Sequence, residues 1–389
     1  MAQNKNQHFV PQFYLSAFSF DEGARTNLIR AVLLKSIKAI GAAGQCQGDY
    51  FYGKNLKFEE ALSKIEGAAA TVIREIIRHG DISPIGTNAD AVMKAFVCLQ
   101  WTRTLAFSEG FDSGFSQMIK GVFRDKFKAS GFSDQDLAEV EIGRTEGPRE
   151  SVAQGMDFIP FFWDLEAKLV CANDLGEFVT SDDPVLVLNP FYQGRFEGGI
   201  SGAALEGTLV LFPISPDYLI ILYDRGCYRV GATGKGFVPL GSMTDLVALN
   251  NYQYLNAHKN VYHRNASLAP LHISAFDCVK QLRTADRQVV REIQQADGNL
   301  IHTFTKPIDY RPEVAIWKIL RSRRHETGTV GQIPPRDPAL SKQFEAYTKS
   351  VRAKKARRGF LAYMANIADV ILSDADKARL RPFANAPAP

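Results

Sequence analysis

Two charged side chains stand at positions where the sequence pattern calls for apolar residues. Residues 59–79 have the apolar spacing of an amphipathic helix, and Glu66 falls inside the apolar sector of that helix. Arg103 lies in the apolar stripe of the next predicted helix, about 88–108. Because a buried charge is costly unless it is paired, both side chains need partners. Two alternatives follow: a structural ion pair between them, or an anion-binding Arg103 that Glu66 orients.

Two adjacent carboxylates, Asp182 and Asp183, follow a predicted strand and precede Pro184. Adjacent side chains of an extended strand point in opposite directions, so in that geometry the two carboxylates would not share a metal ion. One of them is a candidate metal ligand or general base, and the other a turn-forming residue. The competing interpretation is a plain turn, because Asp before Pro is common in turns.

Polar residues near the start of the chain form a second candidate group. If residues 8–14 are extended, His8, Gln12 and Tyr14 lie on one face and form a polar edge able to line a pocket. Histidine titrates near neutral pH, so His8 is a candidate general acid or base. The alternative is an N-terminal arm that simply docks on the domain.

The predicted helix Thr244–His258 carries two amides, Asn250 and Gln253, on its apolar face. Buried amides must find hydrogen-bond partners. We therefore expect Asn250 and Gln253 either to hold a neighbouring loop or to bind substrate.

Familiar catalytic and metal-binding motifs are absent from the sequence. It has no Walker A motif, no Gly-x-Gly-x-x-Gly loop, no Gly-x-Ser-x-Gly elbow and no kinase signature. The five cysteines are widely spread, and the seven histidines form no HExxH or HxH pair. Because no cysteines or histidines have the short spacing of a zinc motif, we expect no structural zinc site.

Composition excludes several classes of protein. Of the 389 residues, 46% are apolar and 23% are charged, which rules out a wholly disordered, collagenous or coiled-coil chain. No apolar run approaches the roughly 18 residues of a membrane span, and the polar N-terminus lacks a signal-peptide core, so we expect a cytoplasmic protein with no membrane partner. Residues 321–358 carry eleven Lys and Arg against three acidic residues. Such a stripe is typical of nucleic-acid binding or of a solvated helix.

The order of the predicted elements indicates an α+β fold. We expect an N-terminal helical bundle packed on a central, mostly antiparallel sheet, followed by a basic helical C-terminal tail. Residues 1–320 are predicted to form one domain, helical over about 55–160 and rich in strands over about 165–265. A further helix is predicted over 311–325. Residues 321–389 are predicted to be a linker and the tail.

Several short motifs, taken in order, resemble the DUF4238 family, a broad group of bacterial and fungal proteins without an assigned function. The resemblance covers about residues 8–265 and rests on His8-Phe9-Val10-Pro11-Gln12-Phe13-Tyr14-Leu15, Tyr50-Phe51-Tyr52-Gly53, the helix with Glu59 and Glu66, Gln100 with Arg103, Thr180-Ser181-Asp182-Asp183-Pro184-Val185, Pro213-Ile214-Ser215-Pro216, and Asn250 ahead of Val261-Tyr262. The resemblance picks out His8, Glu66, Arg103, Asp182 and Asn250. It favours Asp182 over Asp183, because family members often have Asn at the second position. It implies no reaction.

Two functions from different classes are consistent with these residues. The first is an intracellular hydrolase, most plausibly nuclease-like. In that hypothesis Asp182, with Glu66, binds a divalent ion or polarises water, and His8 transfers protons. Substrate contacts come from Arg103, Gln12, Tyr14 and Asn250, and the basic tail concentrates nucleic acid.

The second function is a non-enzymatic binding or sensing module, for example in phage defence or stress response. In that hypothesis the same polar residues form a satisfied internal network that gives the core a unique arrangement.

Overall fold

Most helices come before residue 160, and most strands come after residue 165. The structure, a computed structural model, describes residues 5–21, 24–54, 56–144, 146–194, 201–284, 289–294, 300–305, 308–320 and 333–352. Within them the helices are α1 (Gln12–Ser16), α2 (Leu56–His79), α3 (Asn88–Thr102), α4 (Leu105–Val122), α5 (Arg124–Ala129), α6 (Asp134–Glu139), α7 (Gly147–Phe158), α8 (Met243–Asn256), α9 (Ala269–Asp277) and α10 (Pro338–Arg352). The strands are β1 (Asn6–His8), β2 (Arg25–Arg30), β3 (Lys35–Gly41), β4 (Gln47–Asp49), β5 (Glu166–Cys171), β6 (Thr180–Ser181), β7 (Leu186–Leu188), β8 (Leu209–Pro213), β9 (Tyr218–Tyr223), β10 (Tyr228–Val230), β11 (Phe237–Pro239), β12 (Asn260–His263), β13 (Val289–Gln294), β14 (Leu300–Thr305) and β15 (Trp317–Ile319). The fold is α+β, as the sequence predicts.

Threonine caps set the starts of two helices in the first half of the chain, α3 and α4. The hydroxyl of Thr87 accepts a main-chain N–H of the first turn of α3, and the hydroxyl of Thr104 does the same for α4. The second cap divides the predicted helix 88–108 into two helices, and Arg103 lies at their junction. None of the described helices is both long and apolar enough to cross a membrane.

Two sheets carry most of the strand residues. A five-stranded sheet has the order β11-β5-β9-β8-β7, and all its pairs are antiparallel except β11 with β5. A four-stranded antiparallel sheet has the order β3-β2-β12-β6. The central strands β8 and β9 are buried along nearly their whole length, which explains their continuous apolar sequence.

The helices and the five-stranded sheet share one apolar core. Phe96 of α3 meets Phe212 of β8 edge to face, with ring centroids 6.1 Å apart. Tyr14 of α1 stacks on the same Phe212 ring at 5.0 Å. The N-terminal segment, the helices and the sheet are therefore packed around the same aromatic cluster.

The prediction of a helix over residues 311–325 is wrong where the structure describes it. Residues 308–320 contain no helix, and β15 pairs antiparallel with β10. A turn at residues 315–316 leads into β15, in which Trp317 is buried and Lys318 and Ile319 are exposed. The end of this segment therefore forms a strand that pairs with β10. Residues 321–325 lie outside the described residues.

Within the predicted linker and tail, residues 333–352 are described. The guanidinium of Arg336 binds the Asp164 carboxylate at 2.6 and 3.0 Å and the carbonyl of Ala203 at 2.9 Å. Farther along, Phe344 of α10 packs edge to face on Phe161, and Tyr347 of α10 is buried. This stretch is therefore docked on the rest of the protein, while the division of the chain at residue 320 stays a prediction.

Close packing of α3 against α7 gives a test of the fold. A Cβ added at Gly155 of α7 would stand 2.0 Å from Oγ1 of Thr102. We expect Gly155→Ala to lower the free energy of unfolding by roughly 1–3 kcal/mol, because the helices must move apart.

The matched control is Gly67→Ala in α2, where no atom lies within 4 Å of the added Cβ. We expect it to be neutral or to raise the stability by up to about 1 kcal/mol, through helix propensity. Urea denaturation followed by circular dichroism measures both. Equal effects of the two substitutions would contradict the close α3–α7 contact.

Candidate functional site

The buried guanidinium of Arg103 is bound on every nitrogen atom. One terminal nitrogen donates to Oε1 of Glu66 at 2.6 Å, and the other donates to the main-chain carbonyl of His8 at 2.8 Å. Nε donates to the hydroxyl of Tyr52 at 3.1 Å. The predicted Glu66–Arg103 ion pair is thus confirmed. Arg103 ties α2, the Tyr52 loop and the first strand together, and this geometry favours the structural alternative over anion binding.

The three N-terminal candidates do not share one face. A common face required residues 8–14 to be extended, and they are not, because Pro11, with φ −62°, is the last extended residue before α1 begins at Gln12. Helical geometry turns Gln12 to solvent and Tyr14 into the core. The Tyr14 hydroxyl donates to the carbonyl of Pro213 at 2.6 Å, and a ring nitrogen of His8 lies 3.0 Å from the carbonyl of Ala43. These side chains therefore line no common pocket.

The carboxylate of Asp182 binds the main chain that follows α8. It accepts the N–H groups of His258 at 2.8 Å, Lys259 at 2.8 Å and Asn260 at 3.1 Å. Burial raises the pKa of Asp182, and these hydrogen bonds act in the opposite direction. Asp183 points elsewhere and accepts the hydroxyl of Thr104 at 3.0 Å. The catalytic and metal-binding roles of Asp182 remain predictions.

A different cluster, composed of Glu177, His263 and His272, has the chemistry of a metal site. Glu177 lies in the connection between β5 and β6, His263 ends β12, and His272 lies on α9. Nε2 of His272 is 3.3 Å from Oε1 of Glu177, and Nδ1 of His263 is 3.5 Å from the same oxygen. One ligand atom from each residue lies within 4.8 Å of the other two. We call these three residues the Glu–His–His cluster.

The main chain around residue 265 orients two members of this cluster. Oε2 of Glu177 accepts the N–H of Arg264 at 3.2 Å and that of Asn265 at 3.0 Å. The carbonyl of Asn265 lies 3.2 Å from Nδ1 of His263. A ring nitrogen anchored on a main-chain carbonyl is the usual arrangement of a metal-binding histidine.

Electrostatics keep the Glu177 carboxylate ionised. Burial raises its pKa, but hydrogen bonds from His263, His272 and the Asn265 N–H outweigh burial and bring the pKa to about 2. The other ring nitrogen of His263, Nε2, is buried without a hydrogen-bond partner. An orphaned imidazole nitrogen is uncommon in a protein interior.

The donor set and its spacing fit a divalent transition metal. One carboxylate and two imidazoles form the three-ligand set of many catalytic zinc sites, and they also suit iron(II). Bonds of about 2.0–2.1 Å in tetrahedral geometry place ligand atoms roughly 3.3–3.4 Å apart. The separation between Nε2 of His272 and Oε1 of Glu177, 3.3 Å, is close to that value, whereas Nδ1 of His263 faces the Asn265 carbonyl.

Asn250 connects the predicted residues to this cluster. Its side-chain amide donates to the carbonyl of Glu177 at 2.9 Å and accepts the N–H of Val179 at 3.0 Å. Gln253 acts in the same way on the next part of the segment, accepting the Ser181 hydroxyl at 3.0 Å. Of the two alternatives for these amides, the geometry favours holding a neighbouring segment, and the segment that Asn250 holds carries Glu177.

A small pocket opens beside the cluster between α8 and α9. Glu177, His272 and Asn250 form its polar part. Its cavity volume of about 10 Å³ is room for about one water molecule. Two of the three cluster residues therefore border a space that can hold a water molecule.

The family model for DUF4238, described as a protein of unknown function, matches residues 6–267 of this chain. The chain belongs to the DUF4238 family. The matched range includes Glu177 and His263, while His272 lies beyond it. No curated protein and no solved structure matches the chain.

Reasoning from the sequence missed all three members of the cluster in this DUF4238 protein. Metal motifs are recognised by short spacings on one element, whereas Glu177, His263 and His272 come from three elements. The expectation of no zinc site rested on that local spacing. The one indirect signal was Asn250, the buried amide whose partner turns out to be the Glu177 main chain.

The depressed pKa of Glu177 has a consequence for acid stability in the metal-free protein. The folded-state pKa is about 2 and the ordinary value is 4.5. Above the ordinary value, the ionised carboxylate contributes about 3 kcal/mol to the free energy of unfolding. That contribution is lost as the pH falls from about 4.5 towards 2. We expect Glu177→Gln to flatten this part of the stability profile.

Thermal unfolding between pH 6 and pH 3 in the presence of a chelator measures the effect. The exposed Glu60→Gln variant of α2 serves as the control and should keep the wild-type slope. An unchanged slope in Glu177→Gln would contradict an ionised, hydrogen-bonded Glu177.

Proposed function

We propose that this protein is a metal-dependent hydrolase whose divalent ion is bound by Glu177, His263 and His272. The proposal is carried by one observation: a buried carboxylate and two imidazoles offer ligand atoms that all lie within 4.8 Å of one another. Three protein ligands leave a coordination position open, which distinguishes catalytic zinc sites from closed structural ones. The pocket bordered by Glu177 and His272 gives that position a route to solvent.

Main-chain hydrogen bonds orient the carboxylate of this proposed metal site. The main-chain N–H groups of Arg264 and Asn265 hold the carboxylate of Glu177, which keeps Oε1 beside both imidazoles. Ionised Glu177 supplies the negative charge that a divalent cation requires. A bound divalent ion would supply Lewis-acid polarisation and lower the pKa of water.

Phosphodiesters are the substrate class predicted from the sequence, through the basic segment 321–358. Of that segment, residues 333–352 are described, and Arg336 binds Asp164 and main-chain carbonyls there. Nucleic-acid binding would therefore depend on the other basic residues. A phosphodiester is one of the two substrate classes that the experiment below compares.

The alternative function is a non-enzymatic binding or sensing protein. It is favoured by a specific observation: Arg103 and Asp182, which the sequence marks as catalytic or substrate-binding, are satisfied by internal partners. In that case the Glu–His–His cluster binds a metal ion without turnover.

Metal binding is tested first. The purified chain is stripped with a chelator and titrated with Zn²⁺, Mn²⁺ or Fe²⁺, the last under anaerobic conditions. We expect one equivalent to bind, and we expect His263→Ala and His272→Ala to weaken binding at least a hundredfold. The exposed His79→Ala of α2 is the matched control and should bind like wild type. If the stripped wild type binds none of these ions, the metal site does not exist.

Turnover then separates the two functions. The metal-loaded chain is assayed with bis(4-nitrophenyl) phosphate and with 4-nitrophenyl butyrate. Hydrolysis that disappears in His272→Ala supports the hydrolase. A stoichiometric metal without hydrolysis of either compound supports the binding or sensing function.

Asp182→Asn decides whether the metal belongs to Asp182 or to the Glu–His–His cluster. We expect the variant to lose stability, because an amide cannot accept the three N–H groups that the carboxylate accepts. Each buried donor left without a partner costs about 1–3 kcal/mol. Metal stoichiometry should stay at the wild-type value. Loss of the metal at unchanged stability would move the site to Asp182.

A further inference from the structure

A cavity of about 410 Å³ opens where helices α3, α4, α7 and α10 come together. Sites for small molecules usually have volumes of roughly 300–1,000 Å³, so this cavity has room for a ligand. No member of the Glu–His–His cluster lines it, which separates it from the proposed metal site. We call it the aromatic cavity, because most of its wall is made by Trp101, Phe107, Phe111, Phe158, Phe161 and Phe344.

Five of the six aromatic rings form one connected row. Trp101 meets Phe107 edge to face with ring centres 5.5 Å apart, and the ring of Phe107 stacks on that of Phe111 at 6.4 Å. In the other direction the centre of the Trp101 ring lies 6.1 Å from that of Phe158, which contacts Phe344 at 6.2 Å. Because each ring is held by a neighbouring ring, the wall is in place before a ligand enters.

The loop of residues 201–205 supplies another part of the lining, and Arg336 fixes it in place. The guanidinium of Arg336 donates to the carbonyls of Ala203 and Leu205, both at 2.9 Å. The carboxylate of Asp164 balances its charge at 2.6 Å. The loop is therefore tied to the segment that leads into α10, and the aromatic cavity depends on the docking of that segment.

The charge of the lining favours a cation. Glu345 of α10 lines the cavity, and no Lys or Arg of the described residues does so. The faces of aromatic rings carry partial negative charge and attract a cation within about 6 Å of the ring centre, the ring of tryptophan most strongly. A positively charged ligand therefore meets ring faces and a carboxylate, whereas an anion would meet groups of its own sign.

The ring of Phe111 shows this attraction within the protein. The guanidinium carbon of Arg144 lies 4.4 Å from the centre of that ring. Nε of Arg144 is paired with Asp112 at 2.6 Å, so its charge is balanced inside the chain and repels a second cation only weakly. The aromatic wall is thus able to bind a cation over its rings.

Hydrogen bonding narrows the kind of cation. The hydroxyl of Ser341 lines the cavity and has no hydrogen-bond partner among the described residues. The other polar side chains of the lining are few: Gln154, Ser201 and Glu345. A primary ammonium group needs an acceptor for each of its three N–H groups, and each buried donor without one is costly. A methylated ammonium group has no such requirement.

We propose that the aromatic cavity binds a quaternary ammonium ion that carries an aromatic ring. The apolar body of this ligand leaves water against the ring wall, and its charge is attracted by the ring faces and by the carboxylate of Glu345. The hydroxyl of Ser341 is available to a polar group on the ligand. Binding in this cavity involves neither the metal ion nor turnover.

A matched pair of ligands isolates the effect of charge. The 4-hydroxyphenyltrimethylammonium ion and 4-tert-butylphenol have the same shape and differ in one atom, a charged nitrogen in place of a carbon. Calorimetry on the full chain should show that the ammonium ion binds at least about fivefold more tightly than the neutral phenol. Removal of bound metal with a chelator should leave both affinities unchanged, because the Glu–His–His cluster does not line the cavity.

Two substitutions locate the ligand. Glu345 is exposed, so Glu345→Gln should fold normally and should weaken binding of the ammonium ion by roughly three- to tenfold without changing that of the phenol. The half-buried Ala204 lines the cavity, and Ala204→Phe should fill it and abolish binding of both compounds. The matched control is Glu60→Gln, which removes an exposed negative charge from α2 and should keep both wild-type affinities. Thermal unfolding of each variant checks that it is folded.

The contrary results are distinct. A phenol that binds as tightly as the ammonium ion, or more tightly, overturns the cation site and leaves an apolar cavity. Ammonium binding that is unchanged in both Glu345→Gln and Ala204→Phe overturns the location. No binding of either compound up to its limit of solubility overturns the proposal as a whole, and none of these results bears on the metal site.

Discussion

The arrangement of this protein depends on a row of buried amide side chains on α8. Asn250, Gln253 and Asn256 follow one another along the helix, and each binds the main chain of the segment 177–185. They satisfy carbonyl and N–H groups that in a regular sheet would be paired by a neighbouring strand. Because an unsatisfied buried group is expensive, these side chains hold the segment in one position. Glu177 takes its place from that segment.

The segment 177–185 in turn binds the main chain that follows α8. Asp182 accepts three successive main-chain N–H groups there and so fixes the entry into β12, whose last residue is His263. Two members of the Glu–His–His cluster are thus positioned by one reciprocal network. The polar residues that stand out in the sequence build this framework, and the residues able to bind a metal lie at its far end. Polar residues that stand out in a sequence can therefore mark the support of a site and not the site itself.

Local signals explain what the sequence predicted well. The 3.6-residue spacing predicted α2 and α8 to within a few residues. Helical-wheel geometry placed Glu66 and Arg103 on the apolar faces of their helices. Because an unpaired buried charge is costly, the two side chains were expected to pair, and they do. The failures have physical causes as well. The cap at Thr104 begins a new helix, α4, so α3 ends before residue 108, where the prediction had placed its end. Pairing with β10 makes residues 317–319 a strand where a helix was predicted. The Glu–His–His cluster is a tertiary feature, for which no local pattern exists.

The pairing of β2 with β12 has a consequence for how the chain is made. Arg30 of β2 faces Asn260 of β12, and the two strands are neighbours in the four-stranded sheet. At a synthesis rate of about 5–20 residues per second, β2 leaves the ribosome roughly ten to fifty seconds before its partner. During that time β2 can pair with β3 on one edge, but its other edge lacks β12, and Leu28 and Ile29, buried in the finished protein, lack the core formed later. Such non-local pairing is slow to form and exposes strand edges to other chains. The yield of folded protein in cells therefore depends on how well the nascent N-terminal strands are protected from other chains. A lower growth temperature or added chaperones should improve that protection.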